Sequence, residues 1–379
     1  MKIGIVCYPT FGGSGVVATE LGLGLAQRGH EVHFITYRRP VRLSPFNENV
    51  FFHEVTGEDY PLFEYPPYDT ALASKLVDVV QHYRLDLLHV HYAIPHAAVA
   101  FMAKQILLTQ GYYLPTVTTL HGTDITLVGT NQSFVPVVAF SINQSDGVTA
   151  VSNHLRQQTY DSFELQNDIR VIYNFIDFER FKRTDKDHFK KAIAPQGERI
   201  LTHVSNFRKV KRVDDVLRIF QIVLAEMPAK LLLIGDGPER RRLEDLAREL
   251  GIDREVRFLG KQHAVEELLA ISDLFLIPSG NESFGLAALE AMACEVPVIS
   301  SNVGGLPEVN IQGKTGYLSD VGDVEDMAAN ALRILRDDEL LIHFRAAALE
   351  QAKRFDLDHI LPQYEQYYEQ VLEESLRRA

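Results

Sequence analysis

The chain has 379 residues, more than one ordinary core accommodates, so two domains are expected. Hydrophobic residues make up 46% and charged residues 23%, a globular composition that excludes a disordered or fibrous chain. With 38 Lys and Arg against 51 Asp and Glu the formal net charge is −13, which argues against a nucleic-acid partner yet leaves room for an anionic small ligand held by local cations and amides.

Met1 and Lys2 lead directly into Ile3 to Cys7, an apolar run too short for a secretory signal and suited to a buried strand. No stretch approaches the roughly 20 apolar residues of a spanning helix, so a cytoplasmic protein without a membrane partner is expected. Tyr8 to Phe11 and the loop Gly12-Gly13-Ser14-Gly15 follow, then a helical pattern from about Val16 to Arg28, ended by Gly29, and a strand from Glu31 to Thr36. Further strands are predicted at Leu85 to Val90, Thr116 to Leu120 and Gly147 to Val151. Strand–helix alternation predicts a parallel sheet covered on both faces. The same grammar restarts with strands at Arg199 to Val204, Lys230 to Gly235, Val256 to Leu259, Leu274 to Pro278 and Pro297 to Ser300, and an amphipathic helix from about Val213 to Met227. The polar stretch from about Phe178 to Gly197 lies between the halves, and a polar amphipathic helix runs from about His359 to Arg378. Cys7 and Cys294 sit in apolar contexts and read as buried core residues, with neither a disulfide nor a metal site.

Five segments carry candidate chemistry. In the first loop, Gly13, Ser14 and Gly15 let a backbone approach phosphate oxygens at a helix amino end. Gly13 to Ala18 also fits the G-x-G-x-x-A dinucleotide fingerprint. Against NAD, four residues separate strand from glycines, and Tyr37, Arg38 and Arg39 stand where a ribose-binding acid belongs; arginines there would suit NADP. A tight turn without a ligand also remains open. His89, His91, Tyr92, Pro95 and His96 read as polar groups lining a ligand cleft, since no carboxylate or cysteine completes a metal set. Alternation puts His89 and His91 on one face and Tyr92 on the other. His121-Gly122 follows a parallel strand, where a substrate would be touched. Arg208, Lys209, Lys211 and Arg212 crowd a helix amino end against the macrodipole, which a bound pyrophosphate would justify. Glu282 and Glu290 lie eight positions apart, about two helical turns, so they are expected to project in similar directions, with a ribose diol as a partner for Glu290.

Taken in order, the glycine loop, His121-Gly122-Thr123-Asp124, the Arg/Lys cluster, Gly235-Asp236-Gly237-Pro238, the glutamate pair and Gly304-Gly305-Leu306-Pro307-Glu308 resemble the retaining glycosyltransferases of family four, with their E-x7-E motif. Cys7-Tyr8-Pro9, Tyr65-Pro66-Pro67-Tyr68-Asp69, His89 to His96, Thr119 to Thr126 and His203 to Arg212 are similar to the branch of that family that joins N-acetylglucosamine to L-malate in the first step of bacillithiol synthesis. The resemblance implies an α/β GT-B fold of two Rossmann-like domains facing across a deep cleft. Its domains would be 1–175, an acceptor-binding domain onto which a helix of about 356–379 packs back, and 176–355, which binds the nucleotide sugar.

The resemblance further implies UDP-N-acetylglucosamine and L-malate as substrates, no metal or other cofactor, and a homodimer. Donor contacts would come from Gly13, Ser14, Gly15, Asn206, Arg208, Lys211, Gly235, Gln262, Glu282, Ser283, Phe284, Gly285, Leu286 and Glu290. Acceptor contacts would come from Ser14, Tyr92, Thr119, His121 and Asn174, and catalysis from His121, Arg208, Lys211 and Glu282. Two departures bear on loop geometry: Pro278-Ser279-Gly280-Asn281 replaces a more usual Leu-Ser-Glu-Lys, and Glu295 stands where glycine is common. The rival readings are another acceptor (a lipid, an inositol phosphate or a sugar), an NADP-dependent oxidoreductase, and a regulatory protein that binds a nucleotide sugar without turnover.

Overall fold

The computed structural model describes residues 1–10, 12–43, 46–57, 67–128, 131–184 and 186–378. Phe11, the Tyr65-Pro66 start of the tyrosine–proline motif and Ala379 lie outside these. The chain forms two compact units, one built from Met1–Asn174 together with the chain's end from Leu357, the other from Phe175–Asp356.

The first unit holds seven strands: β1 Lys2–Val6, β2 Glu31–Thr36, β3 Val50–Glu54, β4 Leu87–His91, β5 Thr116–Leu120, β6 Gly147–Ala150 and β7 Ile169–Val171. They form one parallel sheet in the order β3-β2-β1-β4-β5-β6-β7. The second unit repeats the plan with β8 Arg199–Val204, β9 Ala229–Ile234, β10 Val256–Gly260, β11 Leu274–Ile277, β12 Val298–Ser301 and β13 Gly316–Ser319, ordered β10-β9-β8-β11-β12-β13. Most inner strands are buried end to end, because helices cover both faces and leave no polar alternation to keep. The sequence reading missed β3, β7 and β13. β3 is a half-exposed edge strand, and the other two span three and four residues, too short for a pattern to register.

Four helices bear on the sites: α1 Gly13–Gln27, α2 Val213–Glu226, α3 Leu286–Ala293 and α4 Leu357–Arg378. The first unit buries Leu72, Leu76, Val80, Val90, Ala100 and Leu107 on one side of its sheet. The second packs Leu201, Val216, Phe220, Leu233, Leu276 and Phe344. α4 belongs to the first unit's core. Leu361 lies against Gly24, where an added Cβ would come within 2.7 Å of it. The hydroxyl of Tyr367 accepts the Val148 N–H at 2.8 Å, and the hydroxyl of Tyr368 sits 2.7 Å from His89 Nδ1. Cys7 and Cys294 are buried and unbridged, and burial pushes both thiols up to about 12.

Candidate active site

In a doubly wound sheet, ligands bind beyond the carboxyl ends of the strands where the strand order reverses. In the first unit that point lies between β1 and β4; in the second it lies between β8 and β11. The loops leaving these four strands hold most of the candidate residues.

After β1, the backbone turns so tightly that Gly15 abuts the carbonyl oxygens of Tyr8 and Thr10; a Cβ there would lie 2.4 and 2.7 Å from them. α1 therefore begins at Gly13, ahead of the predicted Val16, and Ser14 stands in its first turn. The Tyr92 hydroxyl donates to Ser14 Oγ at 2.6 Å, joining the loops after β1 and β4. Tyr92 adopts φ 87°, which breaks the strand's alternation. The expectation that Tyr92 would point away from the histidine face is corrected: its ring lies 5.2 Å from that of His121, and the His91 ring lies 5.1 Å from the same imidazole.

The histidines form a buried chain. His91 Nδ1 and His121 Nε2 are 2.8 Å apart, and His96 Nδ1 donates to the His91 carbonyl at 2.6 Å. His89 Nε2 meets Thr119 Oγ1 at 2.7 Å, and Thr119 Oγ1 also meets Thr149 Oγ1 at 2.6 Å. His89, His91, His96 and Thr119 have no exposed surface, so they support the loops from beneath and do not line an open cleft. Desolvation holds every one of these imidazoles neutral, with His89 and His121 lowered to about 3 and His96 to about 4. Asp124, also buried, accepts the Ala93 N–H at 2.9 Å and the Gly122 N–H at 3.0 Å, so one carboxylate ties the Tyr92 loop to the His121 loop. Burial raises its carboxyl to about 6. Asn174 is buried, and its side-chain oxygen has no hydrogen-bond partner among the described residues.

In the second unit, Lys211 Nζ lies 2.6 Å from Glu282 Oε1, and Ser279 Oγ donates to the same oxygen at 2.9 Å. The Gly280 N–H donates to the Val210 carbonyl at 2.7 Å, stitching the loop after β11 to the loop after β8. Three sequence expectations change here. α3 starts at Leu286, so Glu282 is a loop residue and helical periodicity does not relate it to Glu290. Lys209–Lys211 form a 3-10 turn ahead of α2, whose own first turn carries Asp214 and Asp215, so the cations do not oppose the helix dipole from within it. Arg212, at φ 49°, is neutralised by Asp215 at 2.6 Å. That leaves Arg208 and Lys209 exposed and Lys211 anchored.

His203 was not singled out as a site residue, yet it sets the loop. Its Nδ1 donates to the Leu276 carbonyl at 2.8 Å, and burial lowers its pKa to about 4, so Nε2 is left to accept from Ser205 Oγ, also at 2.8 Å. Glycines make the remaining contacts possible. A Cβ on Gly235 would stand 1.8 Å from the Ser205 carbonyl oxygen, and one on Gly304 would stand 1.9 Å from that of Glu282. The Gly305 N–H donates to that same Glu282 oxygen at 2.9 Å. Phe284 is buried, Gly285 takes φ 99° at the start of α3, and Glu290 lies one turn inside that helix, half-buried. Asn206 and Gln262 are exposed, Gln262 donating to the Leu259 carbonyl at 2.6 Å. Among the described residues, no cluster of three His, Cys, Asp or Glu side chains is arranged to hold a metal ion.

Two doubly wound units with the candidate loops at their switch points define a two-domain α/β architecture of Rossmann-like units. Residues 11–180 match the family described as Glycosyltransferase Family 4, and residues 184–351 that described as Glycosyl transferases group 1. Over 377 residues the chain is 51% identical to the N-acetyl-alpha-D-glucosaminyl L-malate synthase of Bacillus anthracis, spanning 99% of this chain and 98% of that one. It is 28% identical to a D-inositol 3-phosphate glycosyltransferase of Thermobispora bispora over 96% of its length and 90% of that relative's. A sucrose-phosphate synthase from Thermosynechococcus elongatus shares the fold with a TM-score of 0.80 at 23% identity, over 99% of this chain and 100% of that one. The chain belongs to the family-four glycosyltransferases, and its two units form their GT-B pair of Rossmann-like domains. This membership leaves the NADP reading of the glycine loop without support.

Proposed function

We propose that the chain transfers N-acetylglucosamine from UDP-N-acetylglucosamine to the hydroxyl of L-malate with retention of configuration, the first step of bacillithiol synthesis. The observation that carries this reading is the 51% identity that runs from end to end to the Bacillus anthracis synthase. That identity covers 99% of this chain, so it extends over both units.

In this reading Lys211 is oriented by Glu282 and keeps two ammonium N–H groups for the departing diphosphate. Arg208, exposed in the same loop, adds a bidentate clamp, and together they do the work a divalent cation does in other transferases. Glu290 takes the uridine ribose, with Asn206, Gly235 and Gln262 beside the nucleotide. Glu282 and the backbone of Ser283, Phe284, Gly285 and Leu286 take the sugar. Gly13, Ser14 and Gly15 approach the diphosphate and the malate. The Tyr92–Ser14 hydroxyl pair and neutral His121 orient the malate, and Asn174 offers an acceptor for its hydroxyl proton. Thr119 contributes by fixing the strand beneath His121. In this reading the attack is front-side, through an oxocarbenium-like state whose main stabilisation is that of the leaving group. The enzyme works in the cytoplasm, as a homodimer, without metal.

The test is incubation with UDP-N-acetylglucosamine and a panel of acceptors, with products identified by mass. An N-acetylglucosaminyl malate formed equally well in EDTA is expected. Glycosylation of an inositol phosphate or a lipid, with malate inert, overturns the acceptor assignment. Hydrolysis or inertness with every acceptor overturns the synthase reading altogether.

A further inference from the structure

The second unit contains a cavity of about 320 Å³ lined by Arg183, Lys186, Lys190, Ile271 and Glu295 among others. Ile271 precedes β11, whereas Glu282 follows it, so the cavity opens at the opposite end of that strand from the Lys211–Glu282 cluster. Its charges are incompletely matched. Lys190 and Arg345 converge on Asp273 Oδ1 at 2.9 and 2.6 Å, and Lys186 lies 3.6 Å from Glu267. Arg183 and Glu295 make no ion pair among the described residues, with each other or with a neighbour. Arg183 Nη1 and Arg345 Nε are both buried without an acceptor among the described residues. A buried guanidinium N–H left in that state costs stability unless an oxygen reaches it.

Glu295 is equally out of place. It stands just past α3 at φ 59°, the left-handed position that closes a helix and that glycine fills without strain. A glutamate there bears backbone strain, and its carboxylate makes no ion pair among the described residues. That carboxylate lines the cavity, as does the Arg183 guanidinium. Arg183, Lys186 and Lys190 line the cavity together with Glu295, three basic side chains and one acidic one. A simple dianion would meet Glu295 unfavourably, and a cation would meet three basic side chains.

We propose that this cavity is a binding site for a small acidic amino acid or a close analogue, its carboxylates taken by Arg183 and the lysines and its ammonium by Glu295. The site is independent of the sugar-transfer reading.

Calorimetric titration of the full chain with L-aspartate, L-alanine, succinate and inorganic phosphate tests it. L-Aspartate is expected to bind more tightly than the other three. Arg183→Met and Glu295→Gln are each expected to weaken it at least tenfold, and Lys211→Ala to leave it unchanged. Glu295→Gly keeps the test sharp, because it relieves the backbone: the variant should melt no lower than the parent and still lose the ligand. Absence of binding by every probe overturns the proposal. So does succinate binding as tightly as aspartate and unaffected by Glu295→Gln, which would mark a plain anion site. Loss of aspartate binding in Lys211→Ala would place the ligand at the transfer site instead.

Discussion

In the proposed reaction Lys211 carries the leaving-group stabilisation, because Glu282 holds its ammonium at one corner and no other side-chain partner reaches it among the described residues. Removing one preorganised donor to a developing negative charge costs about 10²–10³ in turnover. Lys211→Ala is therefore expected to lower kcat by that factor in a UDP-release assay. The pair is partly exposed, so the melting temperature should barely move. A variant that turns over normally would remove Lys211 from the mechanism. Lys211 and Glu282 were both singled out in the sequence, Lys211 as a cation suited to a diphosphate and Glu282 through the family motif, and the fold brings the two side chains together. Ser279, His203 and Asp124 were not. Asp124 and His203 act on groups that only the fold brings near: Asp124 holds Ala93, 31 positions away, and His203 holds Leu276, 73 positions away, whereas Ser279 acts on Glu282 within its own loop. A holding residue carries no signature of its own.

Among the elements, the loop between β1 and α1 shows most directly how a glycine's place decides its role. Gly12 has φ −67° in extended backbone, and a Cβ there would meet only Thr10 Oγ1 at 3.3 Å. Gly15 faces two carbonyl oxygens well inside contact distance. Gly12→Ala should therefore cost a few tenths of a kcal/mol and leave kinetics nearly intact, whereas Gly15→Ala must displace the Tyr8–Thr10 turn. The expected result for Gly15→Ala is a destabilisation of about 1–3 kcal/mol with Ser14 pulled away from Tyr92, read as a lower melting temperature and a raised malate KM. Equal behaviour of the two alanine variants would contradict the close approach. The sequence displayed both glycines but could not rank them, since the clash lies in backbone that only folding supplies. The same limit explains the elements. Inner strands such as β2, β5 and β8, buried over most of their length, matched their predicted spans because β-branched and apolar residues run through them. The short or half-exposed β3, β7 and β13 are held by pairing with a neighbour, which leaves little trace in composition.

At the scale of the whole molecule, buried histidines dictate how stability responds to acid. His89, His96, His121 and His203 are held neutral by burial, with native pKa values of about 3, 4, 3 and 4, against about 6.5 when unfolded. A depressed native pKa means that the unfolded chain takes up protons that the native state refuses. Their contribution is complete above pH 6.5 and is lost progressively as pH falls from 6.5 toward 3 to 4. Between pH 7 and 5.5 each such histidine costs about 1.2 kcal/mol. Asp124 runs the other way. Its native pKa is raised to about 6 from 3.8, so acidification through that window favours the native state. Between pH 7 and 5.5 that returns only about 0.8 kcal/mol, less than a single histidine removes. Three of the four histidines lie in the first unit, and His89 is tied to α4 through Tyr368, so that unit should lose structure first. Denaturant unfolding at pH 7.5 and 5.5, followed by hydrogen exchange of the two units, reads both effects. The expected outcome is a lower midpoint at pH 5.5 with amides of Leu87–His91 and α4 exchanging before those of β8 and β11. A midpoint unchanged or raised at pH 5.5 would mean that these imidazoles are charged, or open to water, in the folded protein.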